Sequence, residues 1–476
     1  AIFDALARGA LYFDRRNNTV VLGERSGARY LIRDVLSDED LGKAGRRDVR
    51  RVAIDNSLRA ELQTLRSLGS LAAKDPAQRR RAIEAIMAAP TPEALAALAA
   101  HQGREPLAEL RDEIAVGLAV QALAANDMAA IATALDTLGG RAEPTVRAAL
   151  QALTEREDVP LSLREKSAGL LALLESRLRW LGRLESLFFG LSLGSVLLLS
   201  AIGLAITFGV MGVINMAHGE LIMLGAYTTW GLQQLMPAQP GLALLIAVPS
   251  AFLVSGLVGL LIERGVIRFL YGRPLETLLA TFGLSLILQQ AVRTIFSPLN
   301  RSVVSPDWLS GAWEITEGLS LTYNRLAILL FSLCVFVALL ALMRYTRLGL
   351  QVRAVAQNRS MARALGVASA RVDALTFALG SGVAGIAGVA LSQLTNVGPN
   401  LGQAYIIDSF LVVVFGGVGS LWGTLVAAFS LGVANKLLEP ATGAVLAKIL
   451  LLVGLILFLQ RRPQGLFPRS GREDSN

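Results

Sequence analysis

The stretch GLAITFGVMGVINMAHGELIMLGAYTTW, residues 203–230, decides how the rest of the chain is read. It is as apolar as a membrane helix. Glycines nevertheless interrupt it where a plain span would run on, and Asn215, His218 and Glu220 fall within six positions of one another. Lipid offers no hydrogen-bond partners, so polar side chains and loosened backbone persist at that depth only where protein or a water-filled cavity receives them. The stretch is therefore expected to line a solute pathway.

Outward from it, apolar segments lie at about 187–208, 212–235, 242–262, 275–297, 326–343, 373–395, 408–436 and 444–460, most of them near the roughly 20 residues that cross a bilayer. These predict an all-α polytopic membrane protein of about eight segments, some broken or re-entrant. The segment at 408–436 contains GGVGS (416–420) and then Trp422 and Gly423, which fits a short half-helix, a turn and a second half-helix. The 476 residues average 53% hydrophobic, but residues 1–185 hold dense charge and no run of spanning length. Two domains follow: 1–185, an extramembrane extension, and 186–476, a membrane domain.

In the extension, Tyr12, Phe13 and 19–22 flank a turn-like Arg15 to Asn18, and 30–36 follows a Ser26-Gly27 break, a pattern for a small hairpin or sheet. From Val49 onward leucines recur at helical spacing: Leu58, Leu62, Leu65 and Leu68, then Leu107, Leu110, Ile114 and Leu118. Pro76, Pro92 and Pro144 stand where helices start, since a first-turn proline loses no needed N–H. A mostly α-helical, HEAT-like stack is expected, although no strict period runs through it. Arg79, Arg80 and Arg81 read as a solvated helix face. His101 reads as a helix-end surface histidine without an acid partner.

Short loops rich in Lys and Arg stay on the cytoplasmic side. Arg264, Arg268 and Arg273 follow the third segment; Arg344, Arg347, Arg353, Arg359, Arg363 and Arg371 follow the fifth; Arg461, Arg462, Arg469 and Arg472 follow the last. The loop 298–325 sets Asp307, Glu314 and Glu317 against Arg301 and Arg325. All basic loops fall inside if 187–208 starts outside and 408–436 re-enters without crossing. Residues 1–185 would then face the periplasm of a bacterial inner (cytoplasmic) membrane, and a cleaved leader is expected ahead of Ala1.

The net charge of +8 is accounted for by these flanks, so nucleic acid is not an expected partner; membrane lipid is. One cysteine, Cys334, excludes an intrachain disulfide, and two histidines far apart supply no metal site. No G-x-x-x-x-G-K-[ST] is present, so any ATP hydrolysis belongs to a partner subunit and no cofactor is expected.

The His218 and Glu220 pair could in principle do acid–base chemistry, but no nucleophile motif accompanies it. Either they satisfy one another or nearby backbone at a helix start, or they hydrogen-bond a small polar solute. Thr281, Ser285, Gln289 and Gln290 add neutral donors and acceptors, which suit an uncharged or zwitterionic solute. The small-residue run GSGVAGIAG (380–388) reads as a helix-packing face. In the inside loop 348–373, QVRAVAQN (351–358) leads into a short basic helix that Gly366 can end in the left-handed conformation. Met361, Ala364 and Leu365 give it a small apolar face suited to docking in a groove of another protein.

Residues 187–468 resemble permease subunits of the branched-chain amino acid class of ABC importers. The resemblance rests on GVMGVINMAHGE (209–220), the loop 353–366 with Ala356, Ala362 and Gly366, VFGGVGS (414–420) and RPQGLF (462–467). With its long helical extension, the chain looks like the first permease subunit of urea ABC transporters. That resemblance implies a transport subunit rather than an enzyme, urea as solute, a second permease subunit, two ATPase subunits and a periplasmic urea-binding protein. Branched-chain amino acids or short-chain amides are the alternative solutes. It also implies that Arg353, Asn358, Arg359, Met361, Ala362, Leu365 and Gly366 belong to the ATPase-coupling loop; that Asn215, His218, Glu220, Thr281, Ser285 and Gln289 line the pathway is the expectation from the residues themselves. The loop lacks the glutamate-containing motif of other importers, so contacts do not transfer from them.

Overall fold

Alternating apolar positions between Leu11 and Arg51 build a sheet ahead of the helices that follow. The computed structural model describes Leu6 and residues 10–15, 17, 19–26, 29–35, 39–45, 48–52, 56–316 and 319–467. Arg16, Asn18, Gly27, Leu36, Glu317, Arg469 and Arg472, used in the sequence reading, lie outside these, as do the side chains of Leu58 and Leu62. The chain divides into two compact units, Ala1–Arg177 and Leu178–Asn476.

In the first unit, β1 (Leu11–Asp14), β2 (Thr19–Ser26), β3 (Arg29–Asp34), β4 (Asp40–Gly45) and β5 (Val49–Arg51) form an antiparallel sheet of order β4-β3-β2-β1-β5. Tyr12 pairs with Val21 and Glu24 with Leu31, a register that brings Val21, Ile32, Ala44 and Val49 onto one buried face. The expected small hairpin is thus a five-stranded sheet, and the run of helices begins after it at Asn56.

Six helices follow: α1 (Asn56–Ser70), α2 (Pro76–Ala88), α3 (Pro92–Gln102), α4 (Ala108–Ala124), α5 (Met128–Leu138) and α6 (Pro144–Glu155). Pro76, Pro92 and Pro144 occupy first turns, and Asp75 and Thr91 cap α2 and α3 through Ala77 N at 3.0 Å and Ala94 N at 3.2 Å. Ile83, Leu98 and Ile114 fill one apolar cluster, and Ile131, Leu135 and Leu150 fill another. Leu65 and Leu107, which share the helical spacing, face outward instead.

Two readings in this unit are corrected. Arg79 is buried, not solvated: its guanidinium lies 2.9 Å from Glu105 Oε1 and donates to the Ala73 carbonyl at 2.9 Å. His101 does have an acid partner, Glu105, one helical turn away at 3.0 Å. Periodicity does not report the Arg79 pair, which joins α2 to the loop after α3, whereas the His101–Glu105 pair stands at i, i+4 and is legible in the spacing. Burial alone would raise the Glu105 pKa, but hydrogen bonds from Arg79, Leu107 N and His101 and the charge of Arg79 hold it below its ordinary 4.5.

The second unit is built of long apolar helices. A single helix, α7 (Leu161–Met211), contains the unit boundary and ends in the apolar stretch. Then come α8 (His218–Leu235), α9 (Pro240–Gly265), α10 (Pro274–Phe296), a small hairpin β6 (Ala312–Thr316) and β7 (Leu319–Thr322), and α11 (Tyr323–Tyr345). The loop helices α12 (Arg347–Gln357) and α13 (Arg359–Ala364) lead to α14 (Ser369–Ser392), α15 (Leu401–Gly416), α16 (Leu421–Thr442) and α17 (Ala444–Arg461). Among the described residues, seven helices are long and apolar enough to cross a membrane; α8 and the 16-residue α15 fall outside that set.

The centre is the trio α8, α9 and α14. Gly225 abuts the Gly385 backbone, Gly388 abuts the Ile222 carbonyl, and Gly382 faces Phe252. Small residues let backbones approach this closely, as the run at 380–388 led us to expect.

The arginine-bearing ends collect on one side. Gly419 shares a cavity with Arg344 and Arg353, and the tail at 465–467 binds the bend between α15 and α16, with Leu466 N donating to Phe415 O at 2.8 Å. The expected helix, turn and helix over 408–436 is present, with longer arms than two half-helices. The two arms hold 16 and 22 residues, about 24 and 33 Å of helix. They reach the basic end and return, and the chain still leaves on the side from which it came.

Two outcomes are expected. Gly225→Val forces a branched side chain into the Gly385 backbone, and overpacking of this kind costs about 1–3 kcal/mol or more; the purified protein should melt earlier in detergent, whereas Gly231→Val, with open space at Cβ, should not. The depressed Glu105 pKa contributes stability that is complete above pH 4.5 and lost as pH falls through the lower folded value. Melting of the first unit followed between pH 6 and 3 should therefore steepen in acid, and Glu105→Gln should flatten that dependence.

Candidate solute pathway and coupling loop

At Met211 the helix stops, and Gly212 adopts φ +66°, a conformation natural for glycine. Residues 212–217 are non-helical, which would strand their backbone polar groups in an apolar setting. Side chains supply the partners. Asn215 Oδ1 accepts from Ala217 N at 3.0 Å, and Thr281 Oγ1 of α10 accepts from Met216 N at 3.2 Å while donating to Thr277 O at 2.9 Å.

Helix α8 then begins with the histidine. His218 Nε2 donates to the Ser200 carbonyl of α7 at 2.8 Å, and the ring is wholly buried. Glu220 turns the other way: its Oε1 accepts from Ser285 Oγ at 2.8 Å and from Gln289 Nε2 at 2.7 Å. His218 and Glu220 therefore do not satisfy one another. One leans on backbone and the other ties α8 to α10.

All six expected pathway residues are buried, and five of them fall into two groups. Asn215 and Thr281 dress the break, whereas Glu220, Ser285 and Gln289 form a polar clasp; His218 stands apart against α7. Each group keeps a spare polar atom, because Asn215 Nδ2, His218 Nδ1 and Glu220 Oε2 have no partner among the described residues.

Beside the break lies a cavity of about 210 Å³ walled by Leu204, Ile214, Met216, Leu278, Ile406, Ile407 and Phe410, with Asn215 its one polar side chain. The α15 residues Ile406 and Phe410 were not anticipated. They share a face at i, i+4, but α15 is apolar nearly all round, so no face stood out in sequence.

The loop on the basic side is anchored from beneath. Asn358 caps α13 by accepting from Met361 N at 3.0 Å, and Gly366 ends it at φ +87°. Arg353 Nη1 donates to Met343 O at 2.8 Å, closing the end of α11. Arg359 forms an ion pair with buried Asp373 of α14 and lies over the Tyr271 ring, 4.4 Å from its centroid. Burial, followed by the nearby Asp373 charge, pushes the Tyr271 hydroxyl pKa up. Ala362 is buried, while Met361 is 63% and Leu365 80% exposed. The exposed apolar pair is thus held on a rigid base. Among the described residues no cluster of His, Cys, Asp and Glu could hold a metal.

Residues 186–459 match the family model described as branched-chain amino acid transport system / permease component. The chain is 32% identical over 297 residues to the high-affinity branched-chain amino acid transport system permease protein LivH of Escherichia coli K12, covering 60% of this chain and 96% of that one. The corresponding permease protein BraD of Pseudomonas aeruginosa is likewise 32% identical over 297 residues, 60% of this chain and 96% of BraD. LivM of Salmonella typhimurium, also a permease protein, is 25% identical over 296 residues, 57% of this chain and 68% of LivM. No solved structure matches.

Glu220→Ala removes the acceptor of Ser285 Oγ and leaves Gln289 Nε2 only the longer contact to Ser285 Oγ at 3.4 Å, a loss of about 1–3 kcal/mol for the unsatisfied group. The variant should melt several degrees lower in detergent, and Glu220→Gln, which keeps one acceptor oxygen, should recover most of the difference.

Proposed function

Because the chain belongs to the family of permease components of branched-chain amino acid transport systems, we propose that it forms part of the membrane channel of an ABC importer. It is a multi-pass membrane subunit and a transport protein rather than an enzyme. A second permease of the same family pairs with it, two ATPase subunits dock on the basic side, and a solute-binding protein delivers from the other side. Existence of the homologous LivH and LivM permeases supports the pairing. The first unit faces the periplasm in this reading, which the charge asymmetry of the membrane helices supports.

The observation that carries the solute assignment is the cavity at the helix break, aliphatic and aromatic apart from Asn215 and the backbone around it. Such a wall favours a small solute with an aliphatic side chain and a polar end, as branched-chain amino acids have. The branched-chain amino acid systems to which LivH and BraD belong support the same reading. Urea is the second reading. What favours it is the unit before Leu178, which lies outside the family match and accompanies the permease in the urea transporters that this chain resembles.

Uptake by cells carrying the whole transporter separates the two. On the first reading, deletion of this chain abolishes labelled leucine uptake and leaves urea uptake intact; on the second, the reverse. The coupling role is tested by Met361→Asp with Leu365→Asp, which places charge on the exposed apolar pair. ATPase subunits should be lost from the purified complex, while the permease pair remains together.

A further inference from the structure

A crevice of about 300 Å³ opens between α7, α15, α16 and α17. Its deep wall is aliphatic, formed by Leu193, Leu197, Leu431, Leu451, Leu452 and Leu455. Its rim carries four charges instead. Lys436 Nζ lies 2.6 Å from Glu439 Oε2, and Lys448 Nζ lies 3.2 Å from Asp408 Oδ2. All four side chains remain 29–60% exposed, so neither pair is closed off.

The helix directions set the depth of each group. α17 ends at the basic side with Arg461, so its start at Ala444 marks the opposite face. Lys448 is one turn from that face, Lys436 and Glu439 lie within the last two turns of α16, and Asp408 stands at the middle of α15, about 10 Å from its start. Leu455 is about 16 Å in. Lys448 and Glu439 therefore lie nearest that face, and Leu431 and Leu455 lie deepest. Helix α17 buries only Ala447 and Leu455, which leaves the slot open along its length.

We propose that this crevice binds one phospholipid with a zwitterionic, primary-amine headgroup. One acyl chain lies along the leucine wall; the phosphate takes Lys436 and Lys448, and the ammonium takes Asp408 and Glu439. Charge complementarity selects this occupant. Two cations beside two carboxylates match a headgroup carrying both signs, whereas an anionic headgroup meets the carboxylates unpaired. A quaternary ammonium has no N–H to give them. A slot of this volume takes a hydrocarbon chain and is smaller than a single turn of a helix about 10 Å across, roughly 400 Å³. The inference needs only the membrane placement of these helices and is independent of the transported solute.

The test uses the assembled transporter, purified in mild detergent after equilibration with equal amounts of phosphatidylethanolamine, phosphatidylcholine and phosphatidylglycerol, and read by native mass spectrometry. One phosphatidylethanolamine should be retained per copy of this chain in preference to the other two. Lys436→Ala with Lys448→Ala should lower its retention about tenfold, as should Leu451→Trp, which fills the slot. Equal retention of all three lipids, or retention unchanged in both variants, overturns the proposal. A photoreactive residue substituted for Leu451 guards against variants that misfold: a lipid adduct supports the site, and an adduct to another polypeptide overturns it.

Discussion

Lipid cannot hydrogen-bond a backbone, and that constraint governs the second unit. Between Met211 and His218 the chain gives up its helix, so every peptide group freed there needs a partner from protein. Asn215 and Thr281 supply two, and the clasp of Glu220 with Ser285 and Gln289 holds α8 and α10 in the position that makes the supply possible. The break also leaves a recess, because an extended segment fills less width than a helix. The apolar cavity lies in that recess.

The same constraint explains the glycines. A break held by hydrogen bonds tolerates little play, and the helices around it are brought close by removing side chains. Gly203 meets Gly380, Gly219 meets Gly402 and Gly225 meets Gly385, so that α7, α8, α14 and α15 touch backbone to backbone. Packing contacts replace the hydrophobic effect where the solvent is itself apolar. The Arg359–Asp373 pair extends this rigidity into the loop, since Asp373 stands in the first turns of α14. The short helix that carries Met361 and Leu365 is thereby tied to the glycine-packed trio.

Polar residues within the unit before Leu178 follow a different logic. There water is available, yet Arg79 and Glu105 are buried together, joined by His101 at the rim. Arg79 has its carboxylate and two carbonyls, so the buried charge is fully used rather than stranded. Such a knot ties the turn before α2 to the turn after α3 and sets how those helices stack.

Hydropathy and small-residue spacing were enough to identify a polytopic helical protein, the packing role of 380–388 and the capped helix that Gly366 ends. These are local properties, fixed by a residue and its near neighbours. Partnership between distant segments is not local. That Glu220 would find Ser285 and Gln289 rather than His218, that His218 would find Ser200, that Arg79 would turn inward and that Ile406 and Phe410 would wall a cavity all depend on which faces meet after folding. Several faces of these helices are equally apolar, and a sequence in which every face qualifies cannot say which one is chosen; only backbone approach, allowed at the glycines and refused elsewhere, makes that choice.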